Sequence, residues 1–452
     1  MQFFTKDKAF YRSFIRLCVT LMLEQAVILS VNLADNMMLG SYSEAALSGV
    51  AAVNQIQFVY QQLVYGVSNA MIVLGSQYWG QKRADQVRRL SSIGTWSAVA
   101  IGVALFIGVS LFPHGSLALF TPSEDFAREG MNYLSIIRFS YIPFAISAIM
   151  LGTMRIAESV KIALRVSIIS LVINVSINFV LITGRFGAPE MGVRGAAIGT
   201  LTARVIECII IAFFLFKKED KLSMQPKDFL HIDRAMLKDF IRVGVPVVIS
   251  AAMWGFANAV QTIILGHMNE SAIAAQSISS TMFLLLKVTS VGAASAASIL
   301  VGQAIGAGDF PRIREYTRTL QLIFVGIGVV LGIALFLIRI PLLVVYNISE
   351  ETRILANAYM IIQSIVIFTM SYQMPVNIGI IRGGGDTRYV LILDTISIWC
   401  IVVPISVLAA FVWKLSPIIV IICLNADQVF KCVPAFIRVN GYKWIRTLTR
   451  PE

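Results

Sequence analysis

Long apolar runs recur along the whole chain, separated by short connections that carry most of the charge and many of the glycines and prolines. Runs such as Ile209–Phe216, Leu320–Ile338 and Ile396–Val412 are nearly free of charge. With their flanks they are long enough to contribute to bilayer-spanning helices of ~20 residues. The pattern predicts twelve helices. They run over Phe14–Leu39, Ala46–Ser76, Leu90–Phe112, Met131–Gly152, Ile162–Thr183 and Val193–Phe216, then over Phe240–Leu265, Ile273–Ile305, Thr319–Ile338, Leu355–Ile381, Tyr389–Phe411 and Pro417–Ile437.

The same pattern repeats at an offset of 226 residues without a gap, which is half of the 452-residue chain. Leu39-Gly40-Ser41-Tyr42-Ser43-Glu44 aligns with Leu265-Gly266-His267-Met268-Asn269-Glu270. Gly66 pairs with Gly292, Leu74 with Leu300, Gln77 with Gln303, Gly80 with Gly306 and Tyr133 with Tyr359. A duplicated unit of six helices is expected, and an even count gives both copies the same orientation. The expected fold is therefore an all-α membrane protein of twelve transmembrane helices, arranged as two six-helix bundles about a pseudo-two-fold along the membrane normal. The expected lobes are residues 1–216 and 240–452, joined by a cytoplasmic linker over 217–239. That linker is amphipathic through Phe229, Leu230, Ile232, Met236 and Leu237, so it is expected to lie along the membrane surface.

Composition agrees with a bilayer. Hydrophobic residues make up 57% and charged residues 14%, where a soluble domain carries about a quarter charged residues. Of the 37 Lys and Arg, 28 fall on the side shared by the N-terminus and only 6 on the other. That bias predicts cytoplasmic termini in the plasma (inner) membrane. It also explains the net charge of +12 without nucleic acid as a partner. Cys18, Cys208, Cys400, Cys423 and Cys432 read as packing residues, and His114, His231 and His267 form no ligand cluster. The first apolar segment is too long for a cleaved signal and contains Glu24 and Asp35. No Walker sequence occurs, so ATP hydrolysis by this chain is excluded as an energy source. No cofactor is expected. Convergent nucleophiles, acids or metal ligands are absent from the pattern, which argues against an enzyme.

Polar residues at membrane depth form the functional shortlist, because an ionisable group there is costly unless it meets a cavity, a partner or an ion. Glu24 and Asp35 in the first predicted helix are eleven residues apart, hence within about 20° on one face and about 16 Å along the axis. Asn32 lies one turn before Asp35. Asn174 and Asn178 stack on one face of the fifth helix. Thr200 follows the small-residue stretch Gly195-Ala196-Ala197-Ile198-Gly199, which permits close helix approach. A carboxylate, two amides and a hydroxyl suit a cation or a proton; the same groups also serve as plain interhelical hydrogen bonds. Asp394 and Glu207 read either as solvated helix-end charges or as salt-bridge partners. Asp386 and Asp427 lie nearer helix ends. At the offset, Asp35 becomes Gln261 while Asn32 becomes Asn258, so the two halves are not electrostatic copies.

Four segments taken in order resemble the MATE (multidrug and toxic compound extrusion) family. They are Leu33-Ala34-Asp35-Asn36-Met37-Met38-Leu39-Gly40, the passage from Asn174 to Met191-Gly192-Val193-Arg194-Gly195-Ala196-Ala197-Ile198-Gly199-Thr200, Val301-Gly302-Gln303-Ala304-Ile305-Gly306-Ala307-Gly308 and Ile381-Arg382-Gly383-Gly384-Gly385-Asp386-Thr387-Arg388. The resemblance implies export of organic, often cationic, compounds in exchange for H+ or Na+. It places the family's first-helix aspartate on Asp35, its fifth-helix asparagine on Asn174 and its sixth-helix threonine on Thr200. The family's fifth-helix acid falls on Asn178, and a glutamate of its seventh helix falls on Trp254 after Pro246. Two acids of the usual sites are thus missing, and Glu24 is the candidate that would compensate. Asp35 is also where a Na+ ion would sit.

These readings converge on a monomeric antiporter for a small organic substrate. Coupling groups are expected at Asp35, Asn174, Asn178, Thr200 and Glu24, with secondary polar sites at Asn32, Tyr133, Asp394 and Asp386. The alternative is a lipid-linked oligosaccharide flippase, which wants a strongly basic cavity; Arg138, Arg204 and Lys287 are few. Proton coupling is favoured over Na+, because desolvation favours the neutral form of a lone carboxylate and Asn178 removes a charge. The Gly66–Gly80 and Gly292–Gly306 segments are expected to form the cytoplasmic gate.

Overall fold

The computed structural model describes residues 4–118, 124–230, 232–266, 268, 270–345 and 348–450. His231, His267 and Asn269 lie outside these. The described chain is helical, with long segments that we number α1 Lys8–Tyr42, α2 Glu44–Gly80, α3 Ala84–Leu111, α4 Glu124–Ile156, α5 Val160–Leu181 and α6 Val193–Lys217. The second series is α7 Arg234–Gly266, α8 Glu270–Gly306, α9 Phe310–Val345, α10 Glu350–Arg382, α11 Thr387–Val412 and α12 Pro417–Asn440.

Eleven of these segments are long and apolar enough to cross a membrane. The exception among the twelve expected spans is α2. It is fully helical over 37 residues, but Asn54, Gln55, Gln57, Gln61, Gln62 and Asn69 dilute its apolar character. A hydropathy window averages these side chains with their neighbours and does not register the helix face on which they lie.

The sequence repeat is also a repeat of structure. α2 and α8 start at Glu44 and Glu270 and end at Gly80 and Gly306, so both boundaries sit at the 226-residue offset. α1 and α7 share a start signal as well. The Asp7 carboxylate accepts from the Ala9 and Phe10 N–H groups, and the Asp233 carboxylate from those of Ala235 and Met236. Each thereby satisfies amide donors that a helix start leaves unpaired. Those bonds and the partners Tyr316 and Arg89 hold both carboxyls below the usual carboxylate range. For Asp7 the Tyr316 hydroxyl is the largest cause, and for Asp233 the Met236 amide.

Two compact units divide the chain: residues 23–75 with 82–252, and residues 1–22 with 76–81 and 253–452. The boundaries differ from simple halves, because the first turns of α1 belong with the second unit and the first part of α7 with the first. Close crossings explain this. A Cβ on Gly66 would stand 2.9 Å from the Val248 backbone in the first unit, and one on Gly292 would stand 2.7 Å from the Cys18 carbonyl in the second. The absent side chains let α7 lie against α2, and α1 against α8.

In the first unit α4 is the central helix: α3 and α6 pack on it and α5 packs on α6. In the second unit α10 has that place, with α8, α9 and α12 around it. The Tyr141–Ile156 part of α4 is buried almost throughout. The described part of the 217–239 connection is largely irregular up to α7. It contains one short 3-10 helix, Pro226–Leu230, and α7 begins at Arg234. It is tied to α3 by hydrogen bonds from Arg88 to the Leu222 carbonyl and from Trp96 to the Phe229 carbonyl.

Candidate functional site

The first unit contains a chain of polar side chains running across α6, α5 and α1. Asn174 Nδ2 donates to Thr200 Oγ1 at 3.1 Å. Asn178 Nδ2 lies 2.6 Å from Asp35 Oδ1, with a longer contact of 3.4 Å to Asn174 Oδ1. Asn174 and Asn178 are buried, at 2% and 0% exposure. Their four-residue spacing on α5 puts both amides on the face that meets α6. Gly199 makes the approach possible, since a Cβ there would fall 2.0 Å from Asn178 Oδ1. That oxygen is buried and has no hydrogen-bond partner. The Tyr133 hydroxyl of α4 lies against Thr200 and within the field of Asp35. Asn32 is exposed on α1 and stands apart from the chain.

The Asp35 carboxylate is thus anchored by a neutral amide, not by a cation; Arg204 acts on it only at longer range. Such a carboxylate can gain or lose a proton without breaking an ion pair. The surrounding oxygens (the Asp35 carboxylate, Asn178 Oδ1, Thr200 Oγ1) are also a hard donor set that fits a small cation.

Glu24 does not join this chain. It is 1% exposed and pairs with Arg155 of α4, Oε1 to Nη2 at 2.5 Å. A second pair, Arg204 with Glu207 at 2.9 Å, spans one turn of α6, and Ser170 Oγ donates to Glu207. Both pairs line a cavity of about 690 Å3, part of it open solvent, whose wall also includes Asn174 and Thr200. The cavity therefore holds two carboxylates and two guanidiniums, which balance. Glu24 Oε2 and Arg155 Nε remain without partners there. Sequence reasoning missed Arg155 because its position among loop cations made it look topological. The three-residue spacing of Arg204 and Glu207 was a readable signal of a helical ion pair.

The second unit has its own polar chain, with different ends. Asn377 donates to Gln373, Gln373 to Gln428 and Gln428 to Asp427, at 3.0, 2.7 and 2.7 Å. Asp427 and Asp394 both contact the Lys431 ammonium. Asp394 is thus a salt-bridge partner. So is Asp386, whose carboxylate takes Arg438 and, at 2.8 Å, Arg446. That double pairing belongs to the C-terminal segment and separates Asp386 from any polar path. Trp254 stands where an acid would complete a second site and instead carries the Lys287 ammonium 4.7 Å over its ring. Among the described residues no group of three or more His, Cys, Asp or Glu could hold a metal ion.

The MatE family model matches this chain twice, over residues 21–180 and 246–408. The chain belongs to the MatE family. The two matches fall on the two copies of the repeat. A probable multidrug resistance protein NorM of Thermotoga maritima is 26% identical over 440 residues, covering 96% of this chain and 93% of that protein. The multidrug resistance protein MdtK of Edwardsiella ictaluri is 22% identical over 409 residues, covering 90% and 89%. Among solved structures, the eukaryotic MATE transporter AtDTX14 superposes with a TM-score of 0.85 at 16% identity, over 97% of this chain and 98% of that one. A MOP superfamily transporter from Pyrococcus furiosus Vc1, described as having a binding pocket of reverse polarity, gives 0.86 at 18% identity, over 98% and 100%. At such identities these structures show the fold alone. A MatE protein with such apolar helices is a multi-pass membrane transporter.

Proposed function

We propose that the protein is a secondary antiporter that exports organic, often cationic, compounds in exchange for protons, with Asp35 as the coupling group. The observation that carries this reading is the chain Thr200–Asn174–Asn178–Asp35, which ends in a carboxylate held by an amide. Protonation of Asp35 turns an acceptor of the Asn178 amide into a group that can also donate. The contact between α1 and α5 then reorganises and changes access to the substrate. Asn174, Asn178 and Thr200 pass that change to α6, and Tyr133 borders them. Glu24, paired with Arg155, is an acid on the cavity that Asn174 and Thr200 also line. The related NorM and MdtK proteins, named for multidrug resistance, support an efflux substrate.

In this reading twelve helices form two six-helix lobes in the inner membrane, with both termini cytoplasmic and alternating access between the lobes. The gate lies where α2 and α8 end. Gly80 approaches the Gln303 carbonyl and Gly306 the Gln77 carbonyl, reciprocal contacts at the repeat offset. These must part for an inward opening, so cysteines at Gln77 and Gln303 should cross-link in an outward-open state and separate in an inward-open one. The flippase alternative is disfavoured, because the cavity's two guanidiniums are already balanced by Glu24 and Glu207. The test is transport in proteoliposomes with H+ and Na+ gradients imposed separately. Transport that needs Na+ and ignores a pH gradient overturns proton coupling.

A further inference from the structure

The second unit buries a charge arrangement that the proposed coupling site does not use. The Lys431 ammonium lies between carboxylates of two helices, 3.0 Å from Asp394 Oδ1 on α11 and 3.1 Å from Asp427 Oδ2 on α12. Lys431 and Asp427 are each 4% exposed. Gln428 Nε2 fixes Asp427 from a further side at 2.7 Å. The amide chain beyond it ends at Asn377, whose Oδ1 is buried without a partner. A simple ion pair needs one carboxylate. Here one positive charge is shared by two, at distances suited to a small monovalent cation among oxygens. Asp427 is buried and Asp394 keeps about a quarter of its side chain exposed, and the buried carboxylate without a cation would be strongly unfavourable.

We infer that Asp394 and Asp427, the latter held in place by the Gln428 amide, form a monovalent-cation site whose occupant is the tethered ammonium of Lys431. An ion attached to the chain cannot exchange with solution, so the second unit takes up and releases no cation during a cycle. That consequence for transport rests on the coupling role proposed for Asp35; the site itself does not. Arg382 faces Asp394 and Lys287 faces Asp427 at longer range. Their positive field weakens the hold of the two carboxylates on a free cation.

Removing the tethered charge should expose the site. Full-length Lys431→Met protein is purified and its thermal unfolding followed against NaCl and KCl, with choline chloride matching ionic strength. The series is repeated in the Asp35→Asn background, so that ion binding in the first unit is not counted. The expected result is a midpoint that rises by several degrees with Na+ or K+ in Lys431→Met, unchanged by Asp35→Asn and absent when Asp394→Asn is added. Unaltered protein should show no such rise in the Asp35→Asn background. If Lys431→Met does not fold in choline, Na+, K+ or, for Lys431→Ala, propylammonium should restore a folded species. A folded Lys431→Met protein indifferent to these cations overturns the assignment, as does failure of all of them to restore folding.

Discussion

The two polar chains, Thr200–Asn174–Asn178–Asp35 in one unit and Asn377–Gln373–Gln428–Asp427–Lys431–Asp394 in the other, use the same materials for opposite ends. Both contain amides stacked four residues apart on a helix, and both finish at carboxylates. In the first, the carboxylate meets an amide at 2.6 Å. In the second, both carboxylates meet an ammonium. An amide-held carboxylate can change charge at modest cost, whereas one locked to a buried cation must break an ion pair to do so. A duplicated scaffold can thus keep its geometry while one copy responds to ions and the other is fixed.

The sharpest way to break this contrast is Asp35→Asn. The amide keeps an acceptor for Asn178, so the protein should fold, while gradient-driven transport is lost. Gln261→Ala at the equivalent position should have a much smaller effect. Equal losses in proteoliposome transport, or full activity in Asp35→Asn, would remove the asymmetry. Next in size is Lys431→Met, which leaves buried Asp427 and partly exposed Asp394 without their shared cation. Measured without Na+ or K+, it should cost ~3–5 kcal/mol of stability. Denaturant or thermal unfolding that matches the unaltered protein would sink the idea of a locked second chain.

The repeat itself can be tested through Gly306→Ala. The new Cβ would fall 1.9 Å from the Gln77 carbonyl, forcing α8 away from the end of α2 at ~1–3 kcal/mol. Gly80→Ala should do the same against Gln303; a neutral result at both would show that the crossing is loose. The smallest expected effect is at the paired caps. Asp7→Asn removes a carboxylate that accepts two amides and the Tyr316 hydroxyl, at 2.6 Å for the latter. The loss should be smaller than the ~0.5–2 kcal/mol of an Ala replacement, because Asn is itself a good cap. The folded-state pKa of Asp7 is depressed, so the contribution is present above the ordinary aspartate value and fades as pH falls through the lower, folded one. Unfolding measured against pH should therefore separate unaltered and Asp7→Asn protein near neutrality and bring them together in acid.

Much of the architecture was legible because helices in a bilayer write themselves as long apolar runs. The duplication was legible because both copies kept the glycines at which backbones touch. Asn174 and Asn178 were readable as a pair, since spacing within one helix fixes which face a side chain takes. Asp35 stood out because a carboxylate at that depth demands a reason. The sequence therefore determined the helical plan, the repeat and the leading candidate for a coupling residue.

Tertiary structure decided the partners. Glu24 and Arg155 are 131 residues apart, and no periodicity brings them together. Lys431 counted as a loop cation in the topology, yet it is buried between two acids. Asp386 carried the same kind of charge as Asp394 but is committed to Arg438 and Arg446 from the C-terminal segment. Only packing between distant helices selects which charges neutralise one another, because electrostatic interaction depends on distance and burial. The chain names its ionisable residues; the fold determines which of them are free to change charge.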